Sequence, residues 1–113
     1  MGIDEMTLGQ AKELAALFSG GGGDIASPYV IGRRYIIRTV TMTLTGRLTA
    51  VTAMELVLED AAWVADTGRW SAALSTGVLE EVEPFPSGHS VIVGRGALVD
   101  ATEWQHPLPR EQR

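Results

Sequence analysis

Few residues in this chain have the types and spacing that chemistry needs. In the string Val64-Ala65-Asp66-Thr67-Gly68, the aspartate could do acid–base work if a second copy placed its own aspartate alongside, so that two carboxylates shared one proton. The same string makes a good strand-to-helix turn with a cap near Asp66 or Thr67, and that is the preferred reading. Glu59, Asp60 and Asp66 form an acidic cluster of the kind hard cations favour. The alternating aspartate loop of calcium sites is absent, so these read as solvated strand-end carboxylates. His89 and His106 stand isolated, with no ligand partner at helical spacing. The glycine run Gly20-Gly21-Gly22-Gly23 is followed by no Lys-Ser or Lys-Thr pair, so it reads as a linker and not as a phosphate cradle. Gly94-Arg95-Gly96 sets a guanidinium at a tight break, where it can stack on a base or pair with Glu55, the second being preferred. Trp63, Trp70 and Trp104 could form a stacking platform, but no basic stripe accompanies them, and packing is the preferred role. From these residues the expectation is a protein that is not an enzyme, with no catalytic residue, no metal and no cofactor.

Composition narrows the classes further. At 113 residues the chain has room for one domain and one core. Hydrophobic residues at 45% and charged residues at 20% are a globular mix, which excludes wholesale disorder. The net charge of -5, with Lys12 the only lysine among nine basic residues, argues against a polyanion-coating protein, so DNA is not an expected partner. Cysteine is absent, which removes disulfides, thiolate zinc sites and thiol catalysis. No apolar run approaches the roughly 20 residues of a membrane helix. The start, Met1-Gly2-Ile3-Asp4-Glu5, is acidic where a signal peptide is basic, so the expected location is cytoplasmic and no membrane is involved.

The elements that must position these residues read as one helix followed by β structure. Thr7 and Gln10 have capping-box spacing, Met6 sits where a hydrophobic staple lies, and Ala11, Leu14, Ala15, Leu17 and Phe18 share one helical face. A helix is therefore expected at 7–18 and a glycine-rich linker at 19–28. From Tyr29 onward the pattern alternates. Ile36, Arg38, Val40, Met42 and Leu44 interleave with Ile37, Thr39, Thr41, Thr43 and Thr45, which predicts a half-buried strand, or a bent pair, with threonine on the wet face. Gly46 marks a bend. Further strands are expected around Leu48, across Glu55 to Ala65, at Val91 to Val93 and from Ala97 to Trp104. Residues 70–74 read as one helical turn inside a variable insertion at 66–90, and residues 105–113 read as a tail that its prolines keep out of a sheet. The core is expected at Leu14, Leu17, Phe18, Ile36, Val40, Met42, Leu44, Leu48, Leu56, Leu58, Val91, Val93 and Leu98. About five short strands with glycine bends suit a small, strongly bent barrel.

Two blocks resemble the Sm/LSm family. The first is Gly46-Arg47-Leu48 followed by Met54-Glu55-Leu56-Val57-Leu58-Glu59-Asp60-Ala61. The second is Val91-Ile92-Val93-Gly94-Arg95-Gly96-Ala97-Leu98-Val99. The order is that of the family, the likeness spans 35–104, and the blocks also look like small Sm-like proteins of phage and prophage genomes. The resemblance implies a mainly β fold, a five-stranded, strongly bent Sm-like (SH3-type) barrel behind an N-terminal helix. It also implies a homo-oligomeric ring of about five to seven subunits closed by edge-to-edge strand pairing. The edges would be Leu56 to Ala61 and Ala97 to Thr102, with Leu56, Val57, Leu58, Ala97, Leu98 and Val99 at the subunit interface. Nucleotide contacts would fall on Met54, Glu55, Gly94, Arg95 and Gly96. The chain departs from the family here: its RNA-binding asparagine is Glu55, whose carboxylate cannot donate to a base, and its usual aspartate is missing from Val51-Thr52-Ala53. The expected function is therefore a non-enzymatic ring of phage origin acting as an assembly or interaction module. The alternative is a ring that binds single-stranded RNA through Arg95. A remote alternative comes from Val64 to Gly68 and from Ile92-Val93-Gly94-Arg95-Gly96, which resemble the motifs of retroviral-type aspartic proteases. The acidic, proline-rich stretch between them leaves little room for that family's flap.

Overall fold

The computed structural model describes residues 27–113, so the expected helix at 7–18, its core residues Leu14, Leu17 and Phe18, and most of the 19–28 linker lie outside the described residues. The described chain is mainly β. Strands β1 (Arg34–Thr39), β2 (Thr43–Val51) and β3 (Glu55–Asp66) form two successive hairpins. Helix α1 (Trp70–Thr76), β4 (Glu81–Pro84), β5 (Val91–Gly94), a 3-10 turn (Arg95–Ala97) and β6 (Leu98–Glu103) complete the order. All ladders are antiparallel and join in one six-stranded sheet, β4-β3-β2-β1-β6, with β5 beside β4 along the other part of β3. The sheet is open: β5 pairs with β3, β6 pairs with β1, and no ladder joins β5 to β6.

Both hairpins close on a threonine. Thr39 N–H donates to Met42 O at 2.7 Å, and Thr39 Oγ1 accepts the Met42 N–H at 3.0 Å. Thr52 repeats the arrangement, its N–H on Glu55 O and its Oγ1 accepting from Glu55 N, both at 2.9 Å. Such side chains offer the backbone a local alternative to the ladder. They split the alternating stretch into two strands. Val40 and Met42, expected in the core, therefore sit in or beside the turn, and Val40 is 72% exposed.

The long strands bend where their register shifts. The β2–β3 ladder slips between Thr45 and Arg47 and slips back between Leu48 and Ala50. At the first slip Asp60 adopts φ 51°, and its carboxylate accepts from Arg47 Nη1 at 2.6 Å. Gly46 lies opposite. A Cβ there would stand 3.0 Å from Leu58 Cβ and 3.3 Å from Ala61 Cβ, so only glycine lets the strands approach this closely.

The bent sheet buries side chains on both faces. One cluster holds Tyr35, Ile37, Leu44, Leu48, Leu56, Leu58, Ala61 and Val93. The other holds Ile36, Ala62, Val64, Ala73, Leu79, Val82 and Trp104. Ile37, expected on the wet face, is fully buried in the first cluster between strands of the bent sheet, while α1, β4 and the segment after β6 cover the opposite face and bury Ile36. Val91 and Leu98 are only partly buried. No helix among the described residues is long and apolar enough to cross a membrane.

The insertion and the tail are structured. Residues 66–90 supply α1 and β4. The helix starts at N-cap Arg69 with no side-chain cap, because Asp66 Oδ1 instead accepts the Gly68 N–H at 2.8 Å. It stops at Gly77, whose φ of 78° favours glycine and whose missing Cβ leaves room for the His106 ring. His106 Nε2 lies 2.7 Å from Leu74 O and donates to it. Trp104 Nε1–H donates to Pro107 O at 3.1 Å. The chain then runs back to β4, where Arg113 and Val82 exchange both backbone hydrogen bonds, at 2.9 and 3.0 Å.

Candidate functional site

Two chain breaks meet at one end of the sheet. The 52–55 turn joins β2 to β3, and the 3-10 turn joins β5 to β6. The β3–β5 ladder sets Glu55 opposite Gly94 and so brings the turns together. Arg95 N–H donates to Met54 O at 2.8 Å, and Arg95 Nη1 donates to Thr52 O at 2.6 Å. The guanidinium carbon also lies 5.6 Å from the centroid of the Tyr29 ring. Tyr29 is set by an edge contact with Tyr35, centroids 5.7 Å apart, while Tyr35 Oη accepts the Val30 N–H at 2.9 Å.

Met54, Glu55, Gly94, Arg95 and Gly96, separated by some 40 residues of sequence, thus share one surface region. The expected Arg95–Glu55 ion pair does not form. The three ion pairs among the described residues are Arg33–Glu103, Arg38–Asp100 and Arg47–Asp60. A carbonyl and an aromatic face take the guanidinium instead, and Glu55 stays exposed. Tyr29 is the member that sequence reasoning missed. It precedes the first strand without any motif, and only the packing against Tyr35 brings it to Arg95. Chemically the region offers one cation beside one aromatic ring, an exposed Met54 and the free carboxylate of Glu55, and the cation and ring suit planar or anionic groups.

The other candidates are occupied elsewhere. Ser90 Oγ donates to the Glu59 carboxylate, Arg47 holds Asp60, and Asp66 closes its own turn. No group of three or more His, Cys, Asp or Glu side chains among the described residues is placed to hold a metal ion. Trp104 is buried in the second core and Trp70 packs against it, whereas Trp63 is partly exposed. Across β1 and β6, Arg38 makes a two-armed hydrogen bond to Asp100, with Nε at 2.9 Å from Oδ1, and its guanidinium lies 4.4 Å from the Trp70 ring centroid. That hydrogen bond holds the Asp100 carboxyl below the usual aspartate range and raises Arg38 further.

The predicted edges are only half placed. Leu56 to Ala61 lies in β3, which pairs with β2 on one side and with β5 or β4 on the other. Leu56 and Leu58 are fully buried within this chain. The strand that forms the rim beside Leu56, Val57 and Leu58 is β5. At the opposite rim, β6 carries Leu98 and Val99 as expected, while Ala97 closes the 3-10 turn. Comparison with protein-family models, curated proteins and solved structures found no match.

Proposed function

We propose that this protein is a non-enzymatic Sm-like subunit, of phage origin, whose copies join edge to edge in a closed ring that serves as an assembly or interaction module. The observation that carries the reading is the treatment of the sheet rims. The sheet has three terminal strands. The rim of β4 is covered by Arg113 of the same chain. The rims of β5 and β6 pair with nothing among the described residues, and each carries an exposed apolar side chain, Ile92 at 65% and Val99 at 60%. An uncovered apolar rim invites another strand. Two different rims on one subunit give a head-to-tail contact, which closes into a ring when the rotation per subunit allows. The two sequence blocks that resemble the Sm/LSm family add to this reading.

Native mass spectrometry of the protein purified without nuclease treatment tests the proposal. One discrete copy number above two is the expected result, and a monomer would overturn it. A second reading, single-stranded RNA held by Arg95 and its symmetry mates, draws on the Arg95–Tyr29 contact at the paired turns. A ring would repeat that weak contact and gain avidity. Added mass in nucleotide steps, lost in Arg95→Ala, would favour RNA binding over a purely protein-binding module.

A further inference from the structure

The covered rim of β4 carries a separate inference that does not rest on the ring. Leu108 packs against the second core, and the rest of the covering segment, residues 109–113, is held by backbone and polar contacts. Besides the Arg113–Val82 exchange, Arg110 donates to Ala61 O at 3.3 Å and to Phe85 O at 3.1 Å, and Gln112 Nε2 donates to Glu83 Oε2 at 2.8 Å. Residues 110–113 are exposed. Between this segment and the body lies a cleft of about 460 Å³, lined by Gly77, Leu79, Val82, Pro109, Arg110 and Arg113. Leu79 and Val82, on the body side, belong to the second core. Both are nearly fully buried, so what the cleft leaves open is the space beside the covering segment and not bare apolar surface. The flank is acidic, with Glu81 and Glu83 on either side of Val82 and Glu80 just before them, and the covering segment carries two arginines, Arg110 and Arg113, against one acid, Glu111. Neither arginine is ion-paired among the described residues, so the charge attraction acts across the flank as a whole.

We propose that the β4 rim and this cleft form a strand-addition site for an extended, arginine-bearing peptide, and that residues 108–113 are its intramolecular occupant. Main-chain bonds to Val82 would supply affinity, as in other edge-strand recognition, while the cleft and the acidic flank would supply selectivity. A partner peptide with a larger side chain fills the cleft that the resident segment leaves open. Release of the resident segment is a local opening that leaves the β1–β2–β3 ladders intact.

Two measurements on the full chain test this. Hydrogen exchange reads the opening directly: the Val82 amide, bonded to Arg113 O, should exchange at least tenfold faster than the Leu48 amide, bonded to Arg33 O within the buried sheet. Equal protection of the two would overturn the proposal. Arg113→Pro removes the backbone donor, and Arg110→Ala removes the side-chain bonds. A fluorescent peptide with the sequence of residues 107–113 should bind this double variant at least tenfold more tightly than the wild type. Exchanging the peptide's two arginines for glutamate should abolish binding. A folded double variant that ignores the peptide would overturn the site. A dimer of the variant with exchanged segments would overturn the choice of an external partner.

Discussion

At the scale of the residue, single side chains decide the geometry. Gly46 tolerates no Cβ without moving Leu58 and Ala61, whose own Cβ atoms are fixed to the backbone. Gly46→Ala should cost about 1–3 kcal/mol in urea unfolding, within the range for overpacked sites, and Gly46→Val more. Asp100 gives a pH signature. Its carboxyl is held low by Arg38, so its contribution is complete above the unfolded aspartate value of about 3.9 and fades as the pH drops through the folded value. The stability difference between wild type and Asp100→Asn should be largest near neutral pH. Thermal unfolding followed from pH 7 to pH 2 should show it shrinking below about pH 4.

At the scale of the element, α1 and the final segment stand or fall together. The helix has seven residues and no side-chain cap, too short to persist alone. Ala73, Leu79, Val82 and Trp104 bury it against the sheet, and His106 satisfies one of its last carbonyls. Trp104→Phe keeps most of the buried volume and loses the bond to Pro107 O. About 1 kcal/mol should be lost, and the Val82 amide should exchange faster while Leu48 does not change. Trp104→Ala should cost about 3–5 kcal/mol, a large part of the total for a domain of this size.

At the scale of the whole molecule, one rim is sealed in cis and two pair with nothing among the described residues. A charge on either open rim opposes strand addition. Under the proposed ring, Ile92→Lys and Val99→Lys should each leave only monomer in the native mass spectrum. Both positions are exposed, so the denaturation midpoint of the isolated subunit should move by no more than about 0.5 kcal/mol in equivalent stability.

Alternation and glycine placement are local properties of a strand, so the β class, the bend at Gly46, the breaks at Gly68 and Gly94 and most of the first core could be read from the residue pattern. Leu44, Leu48, Leu56, Leu58 and Val93 were legible on that ground. Tertiary structure alone decided the rest. Ile36 and Ile37 are neighbours on opposite faces, and no periodicity of one strand says that both faces will be covered. The helical turn at 70–74 was legible, but the acidic stretch after it became an edge strand because Val82 and Leu79 found Trp104, a contact between residues far apart in the chain. Arg95 turned to Thr52 and Tyr29 and left Glu55 unpaired, since a carbonyl within reach and an aromatic face outcompete an exposed carboxylate that water already satisfies.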